Sequence, residues 1–361
     1  MRNLIHFIKL LISIAIVMIV ILSCKEVADN GAKLKVLSVH NGPVIKEGDP
    51  GTEGNKYGFE GGTAFKYHGE YHMFVAERFG DPFIVKMKLA HWKSKDGLKW
   101  ERLSTLFESS GNFTGEDKFA SLWSPMPFFN RDEKRWNMFY VAYRSKPNDS
   151  TGWYWAYEGR VIRAISKVKG YKGFGGPYEN VGVVLEPGMN DGPWEGLQGT
   201  DSFYAYQVGN KWYAFYGSCL SEITWEKWDK TYPRMGVGLA TADKLEGPWR
   251  KMTEINPIRI SDIWTENPIV YKLKNGKYIG LVDLGVDAFG YTWSENGLNW
   301  SKAEALPLDS YCDKWWWAMR TPLCLIPERD GTYTIFFTSY TNDPYGFATV
   351  GMAKVIIVED C

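Results

Sequence analysis

The sequence predicts an all-β fold, a five-bladed β-propeller with four-stranded antiparallel blades around a central channel. Three observations lead there. Of 361 residues, 45% are hydrophobic and 16% aromatic, with 17 Trp, 21 Tyr and 19 Phe beside 37 Gly and 17 Pro. Aromatic residues among abundant turn formers favour many short strands over helices. One hairpin phrase then recurs five times, beginning at Glu60, Ser124, Asp201, Glu266 and Arg320. In each copy a strand of apolar and aromatic residues meets a Gly- or Asn-bearing turn and a second aromatic strand. Finally, each hairpin is followed by a third strand of small and apolar residues, and most of these run into a turn and a fourth strand carrying an aromatic residue.

In chain order, blade one opens Glu60-Gly-Gly-Thr-Ala-Phe and continues through Leu89-Ala-His-Trp to Ser94-Lys-Asp-Gly-Leu-Lys-Trp100. Blade two opens Ser124-Pro-Met-Pro-Phe-Phe, with Val161-Ile-Arg-Ala-Ile as its third strand. Blade three opens Asp201-Ser-Phe-Tyr and runs through Val237-Gly-Leu-Ala to Leu245-Glu-Gly-Pro-Trp249. Blade four opens Glu266-Asn-Pro-Ile-Val-Tyr and ends Ser294-Glu-Asn-Gly-Leu-Asn-Trp300. Blade five opens Arg320-Thr-Pro-Leu and continues to Val350-Gly-Met-Ala. Two sandwich domains explain the strand density but not a phrase that begins five times. Sialidase-like propellers carry Asp boxes resembling Ser94 to Trp100, but with one more residue before the Gly, usually six blades and an Arg triad.

Lys plus Arg and Asp plus Glu both total 42, so the formal charge is zero. With no Lys/Arg run, nucleic acid is excluded as a partner. Arg2 and Lys9 precede the apolar run Leu10–Leu22, followed by Ser23 and Cys24, the pattern of a secretory signal. The run is short of the roughly 20 residues that span a bilayer. The expected domains are therefore a signal peptide over 1–23, an anchor and linker over 24–43, and the propeller over 44–361. Ile-Leu-Ser-Cys24 resembles a bacterial lipoprotein box, which makes Cys24 the lipid anchor and the location the outer membrane, periplasmic or cell-surface. Cys24-Lys-Glu26 also resembles the surface-export tag of Bacteroidetes lipoproteins. An uncleaved anchor helix is the alternative. No Cys-x-x-Cys or His-x-x-x-His pair appears, so no zinc site is expected. The five His residues fall in the first quarter of the chain without a nucleophile-elbow motif, which sets aside Ser-His-Asp chemistry.

The first strand of a propeller blade lines the channel, so Glu60, Ser124, Asp201, Glu266 and Arg320 are expected to share one funnel mouth. Three carboxylates converging from separate blades are not ordinary core. Burial and mutual repulsion push such pKa values apart, leaving one group protonated and another ionised near neutrality. Glycosidic hydrolysis needs that division: an acid for the leaving oxygen and a carboxylate to activate water. The structural alternatives are a Glu60–Arg320 ion pair, a turn cap at Glu266, and backbone hydrogen bonding at Asp201.

Glu266-Asn-Pro-Ile-Val-Tyr271, Thr200-Asp201-Ser-Phe and Leu122-Trp123-Ser-Pro-Met126 together make the chain, from about residue 44 onward, resemble glycoside hydrolase family 43 and its five-bladed relatives. The resemblance implies Glu266 as general acid, Asp201 as the residue that tunes and orients it, and Glu60 as general base of an inverting enzyme. It also implies plant-type substrates such as arabinofuranosides, xylosides or galactosides. The chain departs from the family in three places. Glu60-Gly-Gly stands for the usual Asp-Pro, Met126 for the Asp of blade two, and Arg320 where blade five often carries a His. Those departures also suit a glycan-binding propeller without catalysis, and some five-bladed relatives are phosphorylases.

Tryptophan faces stack on sugar rings, and the loops hold Trp123, Trp153, Trp155, Trp194, Trp225, Trp228, Trp264 and Trp315 to Trp317. Trp123 and Trp264, adjoining channel positions, are the expected sugar contacts, with Ser124 and Arg320 as further substrate-binding residues. Arg78, Arg144 and Arg234 read as solvated surface, with recognition of a carboxylated sugar as the alternative. No cofactor is required; channel carboxylates suit a structural Ca²⁺, which nothing in the sequence demands. The expected partner is an oligo- or polysaccharide, bound by a monomer that meets membrane only through its anchor.

Overall fold

The computed structural model describes residues 32–147, 154–188, 194–219, 235–285, 287–342 and 346–359. Cys24 and the signal, Trp153, Trp225, Trp228 and Arg234 lie outside them. Strand β1 (Ala32–Val39) is the first among the described residues. Blade one is β2 (Phe59–Tyr67), β3 (Glu70–Gly80), β4 (Lys86–Ser94) and β5 (Trp100–Glu108). Blade two is β6 (Ser121–Asn130), β7 (Arg135–Pro147), β8 (Tyr154–Lys169) and β9 (Tyr178–Leu185). Blade three is β10 (Asp201–Val208), β11 (Lys211–Cys219), β12 (Met235–Ala242) and β13 (Arg250–Lys251). Blade four is β14 (Thr265–Lys272), β15 (Tyr278–Leu284), β16 (Phe289–Ser294) and β17 (Glu304–Ala305). Blade five holds β18 (Ala318–Pro322), β19 (Ile326–Pro327), β20 (Tyr333–Tyr340) and β21 (Ala348–Glu359).

The strands of the first four sheets pair antiparallel and run in chain order from the innermost strand outward. The innermost strands neighbour one another around a ring, β2 to β6, β10, β14, β18 and back to β2. This is the five-bladed propeller that the repeated hairpins predict.

Blade five is built differently, and here the expected domain boundary moves. Its sheet order is β1-β21-β20-β18, with β19 also on β20, so the first described strand is the outermost strand of the last blade. Residues 32–39, expected as linker, belong to the propeller. Their burial alternates along Ala32-Lys-Leu-Lys-Val, the period-two pattern of a half-buried strand. A strand without its own hairpin carries no repeat phrase, so the repeat search passes over it.

Packing between blades supplies the core. Phe59, Val75 and Trp92 of blade one meet Leu323, Phe336 and Val350 of blade five. Phe74, Met87 and Leu89 meet Leu122, Tyr140 and Ile162 of blade two. Met126, Phe139 and Val161 meet Phe203 and Tyr216 of blade three, whose Phe215, Val237 and Leu239 meet Val270 and Val282 of blade four. At about 1.5–3 kcal/mol per fully buried large side chain, these interfaces hold each blade in register with its neighbours.

The turns before Trp100 and Trp300 are the same object twice. Ser94 Oγ accepts from Gly97 N at 2.8 Å, and Asp96 Oδ1 accepts from the amides of Leu98 and Lys99. Ser294 and Asn296 repeat both interactions. Gly97 and Gly297 have φ of +78° and +77°, a left-handed conformation that a side chain would strain.

Candidate active site

Every innermost strand slips register near its start. The irregularity lies between Glu60 and Gly62, Trp123 and Met126, Asp201 and Phe203, Glu266 and Ile269, and Met319 and Pro322. In four blades the next residue is left-handed: Gly61 at φ +36°, Ser124 at +49°, Ser202 at +51° and Asn267 at +49°. Bulges of this kind re-aim side chains beside active sites. They also correct the alignment of blade two, because the counterpart of Glu60, Asp201 and Glu266 is Trp123 and not Ser124. Ser124 is instead a buried packing residue, whose Oγ would lie 2.5 Å from a Cβ at position 61. Only glycine fits there, which accounts for the first glycine after Glu60.

Glu60, Asp201, Glu266 and Arg320 do come together. The Arg320 guanidinium places Nη2 3.3 Å from Glu266 Oε2 and Nε 3.7 Å from Glu60 Oε1, so one cation bridges blades one and four. Burial would weaken its hold on the proton, but Glu60 and Glu266 keep it firmly charged. Glu60 accepts Thr321 Oγ1 at 2.9 Å and Tyr340 Oη at 3.1 Å. Arg78, expected as solvated surface, is buried 3.9 Å from Glu60 and donates to Tyr340 Oη at 2.9 Å and to Tyr57 O at 2.7 Å. Arg144 pairs with Glu158 at 2.9 Å.

Glu266 hydrogen-bonds Asp201, and Trp264 Nε1 donates to its Oε2 at 3.1 Å. Burial first, and the Asp201 charge second, push the Glu266 carboxyl well above the usual carboxylate range. Tyr143 Oη donates to Asp201 Oδ1; burial and then Asp201 raise the phenol well above its ordinary value, so it stays a donor. Burial and Asp201 thus favour the protonated form of Glu266, while Asp201 and Glu60 receive hydroxyl hydrogens.

Of the tryptophans, Trp264 has its ring under Arg320, 5.0 Å from centroid to guanidinium, so part of it is engaged by protein. Trp123 donates to Ser121 Oγ at 3.0 Å and packs against the interface of blades one and two. Trp316 is buried, Trp315 donates to His40 O at 3.2 Å, and Trp317, next to β18, is 51% exposed.

Sequence reasoning missed Asp283, Thr321, Tyr340, Arg78 and Tyr143 as members of this cluster. Asp283 pairs directly with Glu266 across the ladder. Its signal was available: a lone carboxylate in the apolar run Tyr-Ile-Gly-Leu-Val-Asp283-Leu. Burial pushes Asp283 up to about 7, against the pull of Arg320. Among the described residues no group of three or more His, Cys, Asp or Glu is arranged to hold a metal ion; the channel carboxylates are engaged with protein donors.

No family model and no curated protein matches the sequence. The fold, by contrast, is shared with solved five-bladed enzymes. A family 117 glycoside hydrolase of the marine bacterium Zobellia galactanivorans superposes with a TM-score of 0.59 at 14% identity, covering 91% of each chain. A thermostable family 43 glycoside hydrolase gives 0.55 at 16% identity, over 88% of this chain and 97% of its own. An α-L-arabinofuranosidase of Lactobacillus brevis gives 0.55 at 13%, over 87% and 92%. At identities this low the likeness shows the propeller fold alone.

Proposed function

We propose that the protein is a glycoside hydrolase that cleaves plant-type oligo- or polysaccharides, of the arabinofuranoside, xyloside or galactoside class, with inversion. We place it on the outer membrane, held by lipid on Cys24. The carrying observation is buried Glu266, whose protonated form burial and Asp201 favour, set across one guanidinium from Glu60. Glu266 gives that proton to the departing glycosidic oxygen. Glu60 takes a proton from the water that attacks the anomeric carbon on the opposite face. Asp201 holds the acid protonated before the step, and Arg320 offsets the charge that Glu266 acquires during it. The solved relatives named for glycosidase or arabinofuranosidase activity support this reading through fold. No metal or organic cofactor enters these steps.

The test is release of reducing sugar from plant polysaccharides and aryl glycosides, with NMR of the first anomer formed. Hydrolysis with inverted configuration is expected, and retention would sink the Glu60 role. Cleavage that strictly requires phosphate would make the protein a phosphorylase. A second reading, glycan binding without catalysis, draws on Glu60 being 5% exposed and close to two guanidinium groups, as a structural ion-pair partner would be. Saturable sugar binding with no product in any buffer would decide for it.

A further inference from the structure

Asp283 is buried to 1% exposure, and its Oδ1 has no hydrogen-bond partner among the described residues. Its Oδ2 accepts from Asn267 Nδ2 at 3.0 Å. The same amide nitrogen lies 3.3 Å from Thr321 Oγ1, and Thr321 donates to Glu60 Oε1 at 2.9 Å. The two amide hydrogens of Asn267 therefore divide between Asp283 and Thr321. The Thr321 hydroxyl, with one hydrogen to give, spends it on Glu60; its 3.5 Å separation from Asp283 Oδ2 is the longer contact. A directed chain runs from Glu60 through Thr321 and Asn267 to Asp283. Asn267 is also the left-handed residue directly after Glu266, so the amide that Asp283 holds belongs to the bulge that aims the acid.

We infer that Asp283 is a positioning residue: it fixes Asn267, and through it both Glu266 and Glu60. This deepens the glycosidase reading and rests on it for the activity readout alone. The groups facing Asp283 are Glu266 on β14, Asp201 on β10, Glu60 on β2 and Arg320 on β18. From β16 the paired residue is Phe289, which carries no charge. Burial makes an ionised Asp283 unfavourable, and the Glu60 and Asp201 carboxylates add to this against the pull of Arg320; Asp283 reaches half-ionisation only at about 7. An ionised Asp283 raises the proton affinity of Glu266.

Asp283→Asn removes the charge while the amide oxygen still accepts from Asn267. The alkaline limb of kcat/KM, where Glu266 loses its proton, is expected to move down by roughly one pH unit. A merely structural Asp283 would leave the limb in place while lowering the amplitude. An active variant with an unshifted profile overturns the inference and leaves the glycosidase reading intact. Carbon-13 NMR of the carboxyl groups supplies a readout independent of turnover. In the variant the Glu266 signal should titrate at lower pH than in wild type, even if wild type hydrolyses nothing, in which case only the glycosidase reading falls. An unmoved Glu266 titration overturns the inference whatever the activity. If the variant does not fold, wild type alone decides. A Glu266 carboxyl that shifts in two steps, the first as Asp283 ionises, supports the coupling; a single step removes it.

Discussion

At the scale of single residues, burial and Asp201 favour the protonated form of Glu266, and Arg320 lies against the same carboxyl. An acid so arranged matters most when the leaving oxygen is a poor leaving group. Glu266→Gln is therefore expected to lower turnover of an unactivated glycoside by roughly 10²–10⁴-fold, the usual contribution of general acid catalysis. Aryl glycosides with a good leaving group should lose far less, because their oxygen departs without protonation. Steady-state rates on the two substrate types check this, and equal losses would remove Glu266 from the acid role. Glu266 and Asp201 are legible in sequence because each opens a repeat copy with a neighbour that marks it, Pro268 in one case and Thr200 in the other. Asp283 and Thr321 act from a second strand and from the residue after Arg320, where no repeat phrase singles them out.

At the scale of strands, the repeat locates the blades but not the bulge within them. Trp123 and Ser124 differ by one residue, and the phrase places the serine in register because both neighbours of the bulge are small or aromatic, as in ordinary strands. The ladder settles it. Arg78 illustrates the opposite failure: a charged residue on β3 reads as surface, yet it is 1% exposed between Tyr340, Tyr57 and Glu60. Strands β3 and β4 also carry a pair of imidazoles, His72 Nδ1 and His91 Nε2, 2.9 Å apart. Burial pushes His72 down to about 4 and His91 to about 3, where His72 is the second contributor. Folded-state values below the unfolded value near 6.5 mean that the unfolded chain binds more protons in this window. The stability tied to neutral imidazoles is complete above pH 6.5 and is lost as pH falls towards 4 and 3. His91→Gln should therefore gain stability relative to wild type as pH drops from 6.5 to 3, with a slope of up to about 1.4 kcal/mol per pH unit. Urea unfolding of both proteins at several pH values measures the difference, and a difference independent of pH would show that His91 takes up a proton as readily in the folded chain as in the unfolded one.

At the scale of the whole molecule, the ring closes through β1, the strand that the repeat could not announce. Leu34, Val36 and Val39 of this strand are buried. At about 1.5–3 kcal/mol each they contribute roughly 4–9 kcal/mol, comparable with the roughly 5–15 kcal/mol by which a domain of ordinary stability stays folded. Removing β1 also leaves β21 as an unpaired edge, a template for association with other chains. Cys24, the proposed lipid anchor, precedes β1 in sequence, so the proposed anchoring and the closure are separable by experiment. Cys24→Ala is expected to leave the membrane fraction for the soluble one while keeping the melting temperature of the wild-type propeller. A leader-directed version lacking residues 24–40 should lose its cooperative transition or aggregate. Cys24→Ala protein that stays in the membrane with an intact N-terminal peptide would mean an uncleaved anchor helix in place of lipid. Truncated protein that melts as a monomer at the wild-type temperature would mean that blade five closes the ring with β18, β20 and β21 alone.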